Sequence, residues 1–392
     1  MKKVISLAIL ILLGIGVRNI QAQGETAVPF LLLAPDSRFG SLGESGAGLA
    51  DNSSAIFWNP AGLAFLDGSE VSITHSNWLP QFGLSDLFYE YLTYRDYIKS
   101  LSGTVSASIT YMNFGEFVRT LSNSPQPVGT FKSFDAAMTI GYATKLTESF
   151  GVGFNFRLIH SKLSDKPTEN EQGKGIATSI SFDIAMMWRP QSFNLPFIGD
   201  FSDRFSLGVN LSNLGPKIAY IDQAQADPIP TNFRLGFALR LYQDEYNSLT
   251  YTLDFSKLLV DKSHRNDTTG TYQKKPFYEA IFTAWADQPF RDEIRDIITS
   301  MGFEYWYGKP SDFMFALRTG FFYEDPSFGN RKFITLGAGI RYDMYGFDFS
   351  YITTSVFKGR ENHPLDNTLR FTILINWGSK AKNEVGFPKG IE

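Results

Sequence analysis

Cysteine is absent from the 392 residues of the chain. That excludes disulfides, thiolate metal sites, a cysteine nucleophile and anchoring through a lipidated N-terminal cysteine. Long apolar runs are also missing once the N-terminus is passed, so a helical membrane protein is excluded. A membrane barrel is not, because its strands hide their apolar character in alternation. Charge of one sign is lacking too: 36 Lys and Arg face 40 Asp and Glu, and a net charge of -4 gives no electrostatic basis for a nucleic-acid partner. No Pro/Ser-rich linker or break in composition divides the chain, which reads as one large domain.

At the N-terminus Lys2 and Lys3 precede an uncharged apolar run from Val4 to Val17, and Ile20-Gln21-Ala22 follows with a small residue at the end. This predicts a secretory signal peptide over 1–22, cleaved near Ala22, and an exported protein. The run is shorter than the roughly 20 residues of a membrane-spanning helix, which disfavours an anchor.

What the chain has in abundance is aromatic: 36 Phe, 18 Tyr and 6 Trp. They recur with a period of two. Phe134, Ala136, Met138, Ile140 and Tyr142 alternate with Asp135, Ala137, Thr139, Gly141 and Ala143, and Phe150, Val152, Phe154, Phe156 and Leu158 alternate with Gly151, Gly153, Asn155 and Arg157. A period of two is the period of a β-strand. The pattern continues through 180–188, 233–241, 249–255, 301–307, 313–321, 347–351 and 369–377. In these strands the charges are expected only in the polar register. A soluble sandwich alternates as well, but it does not need Phe-rich apolar registers ending in Tyr and Trp opposite registers full of Gly, Ala and Ser. A membrane barrel needs both, because lipid meets an apolar band between aromatic girdles and the lumen side is polar and crowded.

The fold expected is therefore all-β: a transmembrane antiparallel barrel of about fourteen strands, beginning near residues 70, 87, 103, 133, 149, 177, 203, 231, 248, 297, 312, 332, 346 and 368. Long external loops should follow odd strands, and they are expected at 115–132, 163–175, 213–230, 259–296 and 357–367. Short turns such as Thr147-Glu148 and Tyr345-Gly346 should follow even strands, with 190–202 the exception. Eight strands can fill their own interior and sixteen leave a channel, so fourteen need a filler. The segment from Asp36 to Phe65 is the expected plug. The organisation predicted is 1–22 signal peptide, 23–66 plug segment, 67–378 barrel and 379–392 periplasmic C-terminal tail.

Four segments, PFLLLAPDSRFGSLGESGAGLADNSSAIFWNPAGLAF (29–65), LSNLGPKIAY (211–220), IPTNFRLG (229–236) and HPLDNTLRF (363–371), resemble the PorV-like outer-membrane proteins of the type IX secretion system. That family lies within the broader group related to the long-chain fatty-acid transporter FadL. NPAGLA follows the general FadL-like form, so the match is to the PorV/PorQ group rather than to one of its subunits. The resemblance implies a fourteen-stranded outer-membrane barrel with its N-terminal segment in the lumen, embedded in the lipid bilayer. It also implies a role in secretion: binding the C-terminal signal domain of secreted cargo, receiving it from the outer-membrane translocon and delivering it to a surface attachment complex. The alternative is a FadL-like transporter of hydrophobic small molecules. A passive porin is disfavoured by the plug.

Enzymatic chemistry has little support. His75, His160, His264 and His363 share no metal-site spacing, no G-x-S-x-G elbow occurs, and glycines such as Gly151 and Gly153 fall inside strands rather than in phosphate-binding loops. No cofactor is expected. Candidate site residues are of three kinds. Arg38, Asp51, Trp58, Asn59 and Pro60 make the plug motif, in which Pro60 should end one short apolar segment and Asn59 satisfy the backbone at the break. Asp135, Arg157, Asp183, Arg234, Arg240, Asp254, Glu304, Arg318, Asp348 and Arg370 should line the lumen, pairing across strands and holding the plug. Cargo contacts are expected in the external loops. Within 259–296 the run PFYEAIFTAWADQPFRDEIRDI is expected to form a surface helix or an extended hairpin, serving either as a partner surface or as a cover for the barrel mouth.

Overall fold

A computed structural model describes residues 26–83, 86–121, 124–164, 175–195, 199–220, 226–260, 275–309, 312–360 and 363–378. The expected signal peptide at 1–22 and the tail at 379–392 lie outside the described residues.

Alternation along the chain closes into a barrel. The strands β1 (Ser69–Asn77), β2 (Phe88–Ile98), β3 (Gly103–Leu121), β4 (Ser124–Thr147), β5 (Phe150–Lys162) and β6 (Ile176–Trp188) pair in sequence. A two-residue hairpin, β7 (Asn194–Leu195) with β8 (Gly199–Asp200), interrupts the connection at 190–202. The wall then resumes with β9 (Phe205–Leu214), β10 (Asn232–Gln243), β11 (Asn247–Leu258), β12 (Ile298–Tyr307), β13 (Phe313–Tyr323), β14 (Lys332–Tyr342), β15 (Tyr345–Thr353) and β16 (Thr368–Trp377). Antiparallel pairing of β1 with β16, with Ser69 opposite Trp377, completes a closed wall of fourteen strands.

Exposure follows the register with a period of two, and its sense is the reverse of a soluble protein's. In β4 Met138 and Ile140 face outward and are exposed, while Asp135, Ala137 and Thr139 face the lumen and are buried. At the outer rim His75, Phe88, Tyr111, Phe134 and His160 form a continuous row across β1 to β5, with successive ring centroids 6.1, 6.2, 5.5 and 5.9 Å apart. At the opposite rim Trp188 packs edge-on against Phe205, and Trp377 lies beside Tyr94. Two aromatic rows bounding an apolar band are what the two lipid interfaces require.

Three connections differ from the expectation, the first being the turn placed at Thr147-Glu148, which lies at Glu148-Ser149 because Thr147 still ends β4 opposite Phe150. The loop expected at 115–132 is no loop, because β3 and β4 run on past the rim as a paired hairpin and β4 starts at Ser124 rather than near 133. Register bulges at Gly115 and between Arg119 and Leu121 broke the alternation there and masked the strands in the sequence. The turn placed at Tyr345-Gly346 lies instead at Asp343-Met344, where Asp343 takes a positive φ and Tyr345 already begins β15.

The outward face gives a direct test. Leu317, in the middle of β13, is 64% exposed. Leu317→Arg should cost about 2–4 kcal/mol, read as a lowered denaturant midpoint for the protein refolded into lipid vesicles, whereas Leu317→Phe should leave the midpoint unchanged.

Candidate functional site

The lumen is occupied by residues 26–66, which fold as four short helical pieces rather than as strands. Pro29–Leu32 and Pro60–Phe65 are 3-10 turns, and α1 (Ser37–Gly40) and α2 (Ala55–Trp58) are single α-helical turns. Asp36 caps α1, accepting the amide of Phe39 at 3.2 Å through one carboxylate oxygen and Nε1 of Trp58 at 2.7 Å through the other. One carboxylate thereby ties the start of the plug to its aromatic centre, where Trp58 packs at 5.5 Å from Phe39 and 5.0 Å from Phe57.

Asn59 stands between α2 and the turn that Pro60 opens. Its amide donates to the carbonyl of Ala55 at 2.9 Å, and its side-chain oxygen accepts the amide of Ala61 at 3.0 Å. Its Nδ2 donates to the carbonyls of Ala47 at 3.0 Å and of Met186, on β6, at 3.1 Å. Proline has no amide hydrogen and cannot continue the ladder of the preceding turn. A buried carboxamide supplies both the donors and the acceptor that the break leaves wanting.

The wall reaches the plug through charge. Arg38 donates Nε and Nη2 to the two carboxylate oxygens of Glu304 at 2.8 and 2.7 Å, and Nη1 to Asp51 at 2.6 Å. Glu304 accepts in addition Nε of Arg318 at 2.6 Å, Arg318 reaches Asp348 at 2.8 Å, and Asp348 meets Arg341 at 2.6 Å. Asp51, Arg38, Glu304, Arg318, Asp348 and Arg341 thus form one alternating chain from the plug across β12, β13, β15 and β14. A second anchor is Asp254, which accepts the amides of Gly46 and Ala47, both at 2.9 Å, and the hydroxyl of Ser45. Its cation, Arg234, lies 3.7 Å away, 4.8 Å from the Trp58 ring and in hydrogen-bond contact with the carbonyl of Glu44.

The other lumen charges divide. Arg157 grips Asp183 with both terminal nitrogens at 3.0 and 2.7 Å, and Asn155 bridges Asp183 to the plug carbonyl of Ile56. Arg370 meets Glu44 of the plug at 3.5 Å. Asp135 and Arg240 also face the lumen, Arg240 contacting Gln243 near the periplasmic rim. Asn155 and Glu44 were not among the expected residues, nor were Arg341, Asp36 and Glu70. Arg341 and Asp36 lie in segments where no alternation singled them out, and Glu70, which accepts the Ser53 amide at 2.8 Å, sits in a Ser-rich strand. Charge in the polar register of β14 and β1 was the signal available.

Glycine lets the two backbones meet. A Cβ on Gly320 of β13 would lie 2.0 Å from the nitrogen of Gly43, and one on Gly43, whose φ is +68°, would lie 2.6 Å from the carbonyl oxygen of Met301. No larger residue fits at either position without moving the plug.

On the external side, 213–230 turns inward in its described parts, burying Ile218 and Ile229 in the plug core. The loop at 163–175 lies outside the described residues from 165 to 174. In the loop at 357–367 Asp366 accepts the amides of Thr354 and Ser355 at 2.6 and 3.2 Å and the Ser355 hydroxyl at 2.6 Å. Burial opposes its charge, but the hydrogen bonds from Ser355 and Thr354 outweigh it and hold the carboxyl below its ordinary 3.8. Among the described residues no cluster of three or more His, Asp or Glu could hold a metal ion.

Three outcomes follow for the plug and its mouth. Arg38→Met removes the cation between Asp51 and Glu304 and should loosen the plug by about 3–5 kcal/mol, seen as raised single-channel conductance with unchanged heat-dependent gel mobility of the barrel. Asn59→Leu strands the Ala47, Met186 and Ala61 backbone groups, at about 1–3 kcal/mol for a buried group left unsatisfied, and should raise conductance in the same assay. The Asp366 pKa is depressed, so its contribution is complete above 3.8 and lost as pH falls through the lower folded value. Amide-exchange protection of Thr354 and Ser355 should fall only in that acid range, and Asp366→Asn should abolish the acid step.

The family model described as type IX secretion system protein PorV matches residues 18–265. Among solved structures the chain is similar to the Ralstonia pickettii toluene transporter TbuX (11% identity, 88% of this chain and 99% of that one, TM-score 0.45). It is also similar to the Pseudomonas putida toluene transporter TodX (12%, 87% and 96%, 0.47) and a Pseudomonas aeruginosa FadL homologue (12%, 87% and 97%, 0.43). At such identities the likeness concerns the barrel alone. No curated protein matches the chain. With a closed fourteen-stranded wall, an outward apolar band and a family match over well more than half its length, the chain belongs to the PorV family of outer-membrane components of the type IX secretion system.

Proposed function

We propose that this barrel is a non-enzymatic carrier in that system: it binds the C-terminal signal domain of secreted cargo and passes it from the outer-membrane translocon to the surface attachment complex. The family supplies the secretion role. The observation that carries the cargo-binding part is the hairpin made by the outer ends of β3 and β4. Pairing of β3 with β2 stops at Asn113, and pairing of β4 with β5 stops at Phe134. Beyond those residues the strand pairing among the described residues is of β3 with β4 alone, with Asp86 accepting the Glu116 amide at 3.1 Å at the base of the β3 side, so the hairpin stands above the rim with open ladder edges beyond that contact. Phe117 and Val118 are exposed on it, with Phe117 stacked on Phe131 at 5.6 Å. Open strand edges with apolar side chains between them suit recognition by strand addition. On a secreted protein such edges are an aggregation hazard unless a partner uses them.

The alternative, passage of small hydrophobic molecules, requires an apolar path beside the plug. Against it, the plug meets β10, β12 and β13 backbone to backbone at Gly236, Gly302 and Gly320. The space near Leu31 and Phe57 is lined also by Arg157, Asn210, Asn213 and Arg234, a polar wall for an alkyl chain.

Detergent-solubilised protein should co-purify with the isolated C-terminal domain of a cargo protein. Replacing 116–131 by a short Gly-Ser turn should keep the barrel folded and abolish that recovery. Undiminished recovery by the shortened chain, or none by the full one, would overturn the reading.

A further inference from the structure

The external segment 275–296 is inside out. Its first helix, α3 (Phe277–Thr283), turns Ala280 and Ala284 toward the protein and leaves Tyr278, Phe282 and Trp285 exposed at helical spacing. Its second, α4 (Phe290–Arg295), buries Glu293 and leaves Phe290 and Ile294 outside. Phe282 is 75% and Phe290 80% exposed. A loop in water turns its aromatics inward; here they are exposed, alongside Glu279 and Arg291, while Glu293 and Asp296 are buried.

The position of the segment explains this exposure. Phe233 of β10 and Lys257 of β11 are direct cross-strand partners in the register that carries Leu235, Phe237, Phe255 and Leu253 on the lipid side of the wall. Lys257 lies two residues past the stretch 249–255 in which charges were expected only in the polar register, and it brings a charge into the apolar one. It is buried, with Glu293 at 2.8 Å and Asp296 at 2.6 Å. Beside it Trp285 packs edge-on to Phe233 at 5.3 Å, within 6.0 Å of the Lys257 ammonium. Both helices therefore lie against the outer surface of the barrel at its external rim, not over its mouth. Arg295 fastens the far end, donating to Asp325 beyond β13 at 2.9 Å.

We infer that 275–296 is a membrane-contacting collar: its ion pairs hold it to the wall, and Tyr278, Phe282, Trp285, Phe290 and Ile294 enter the interfacial and upper acyl region of the outer leaflet. The occupant is lipid because the exposed stripe continues the lipid-facing register of β10 and β11 through the Trp285–Phe233 contact. Helices with aromatic residues on one face and charges on the other lie in such interfaces, the apolar face buried roughly 5–10 Å. In this arrangement the cost of placing Lys257 in the apolar register is offset by Glu293 and Asp296, and the collar hides the pair from lipid.

The absence of cysteine makes the test direct, since one introduced thiol is unique. Nitroxide is attached at Phe282→Cys or Phe290→Cys, at Phe303→Cys on the outward face of β12 as the lipid reference, and at Val356→Cys in an external loop as the water reference. Each protein is reconstituted in phosphatidylcholine vesicles, and collision rates with oxygen and with a water-soluble nickel chelate are measured by electron paramagnetic resonance. The oxygen-to-nickel ratio at 282 and 290 should exceed the Val356→Cys value several-fold and fall between it and the deeper Phe303→Cys reference. Lys257→Met should bring the ratio down toward the water reference as the collar loses its anchor, with heat-dependent gel mobility reporting that the barrel persists. A ratio equal to the water reference in the parent overturns the proposal. So does a site open to nickel in vesicles and shielded only in native outer membranes, which would assign the face to a protein partner.

Discussion

Arg38 is the point at which the two parts of this molecule become one. Its guanidinium is buried between Asp51 of the plug and Glu304 of the wall, and Glu304 is held in turn by Arg318 and, through Asp348, by Arg341. Three carboxylates alternate with three guanidinium groups, so the lumen carries no net charge along that line. Inside an apolar wall each of these ions alone would be costly, and each is satisfied only when plug and strands stand in one arrangement. A fourteen-stranded wall that cannot fill itself is thus closed by an apolar plug core, with Phe30, Ile56 and Leu63 packed among Tyr89, Met112 and Met187, and by ion pairs that fix its position.

The backbone reinforces what the charges specify. Asp254 takes the amides of Gly46 and Ala47, Asn59 spans from Ala47 to Met186, and glycines at 43 and 320 allow main chain to touch main chain. All but the Asn59–Ala47 bond, which lies within the plug, join an irregular plug to a regular strand. The barrel contributes fixed positions every second residue, and the plug bends to meet them. What projects from this closed body is the β3–β4 hairpin above the rim and the helical segment 275–296 outside it, and the proposed contacts fall there.

Strand positions were legible because alternation is a local property. A residue faces lipid or lumen according to its place in a two-residue repeat, and neighbours suffice to show it. The reading failed where the repeat is broken. Bulges near Gly115 and Arg119 hid the outer hairpin, and Lys257 departed from its apolar register because a segment some forty residues later covers it. The run PFYEAIFTAWADQPFRDEIRDI was legible as helical or extended and as rich in exposed aromatics, but not as lying outside the wall. That depends on Phe233, which is distant in sequence.

By itself the sequence determined the class of solvent this protein meets and the number of times its chain crosses: period-two alternation, aromatic ends and the absence of cysteine are statements about single strands and need no partners. It also marked the plug, since glycines and the Asn59-Pro60 break preclude a strand there. Only the tertiary structure decided which charge meets which. Arg38 and Glu304 are 266 residues apart, and no local pattern encodes a pairing that exists only once the barrel has closed around the plug.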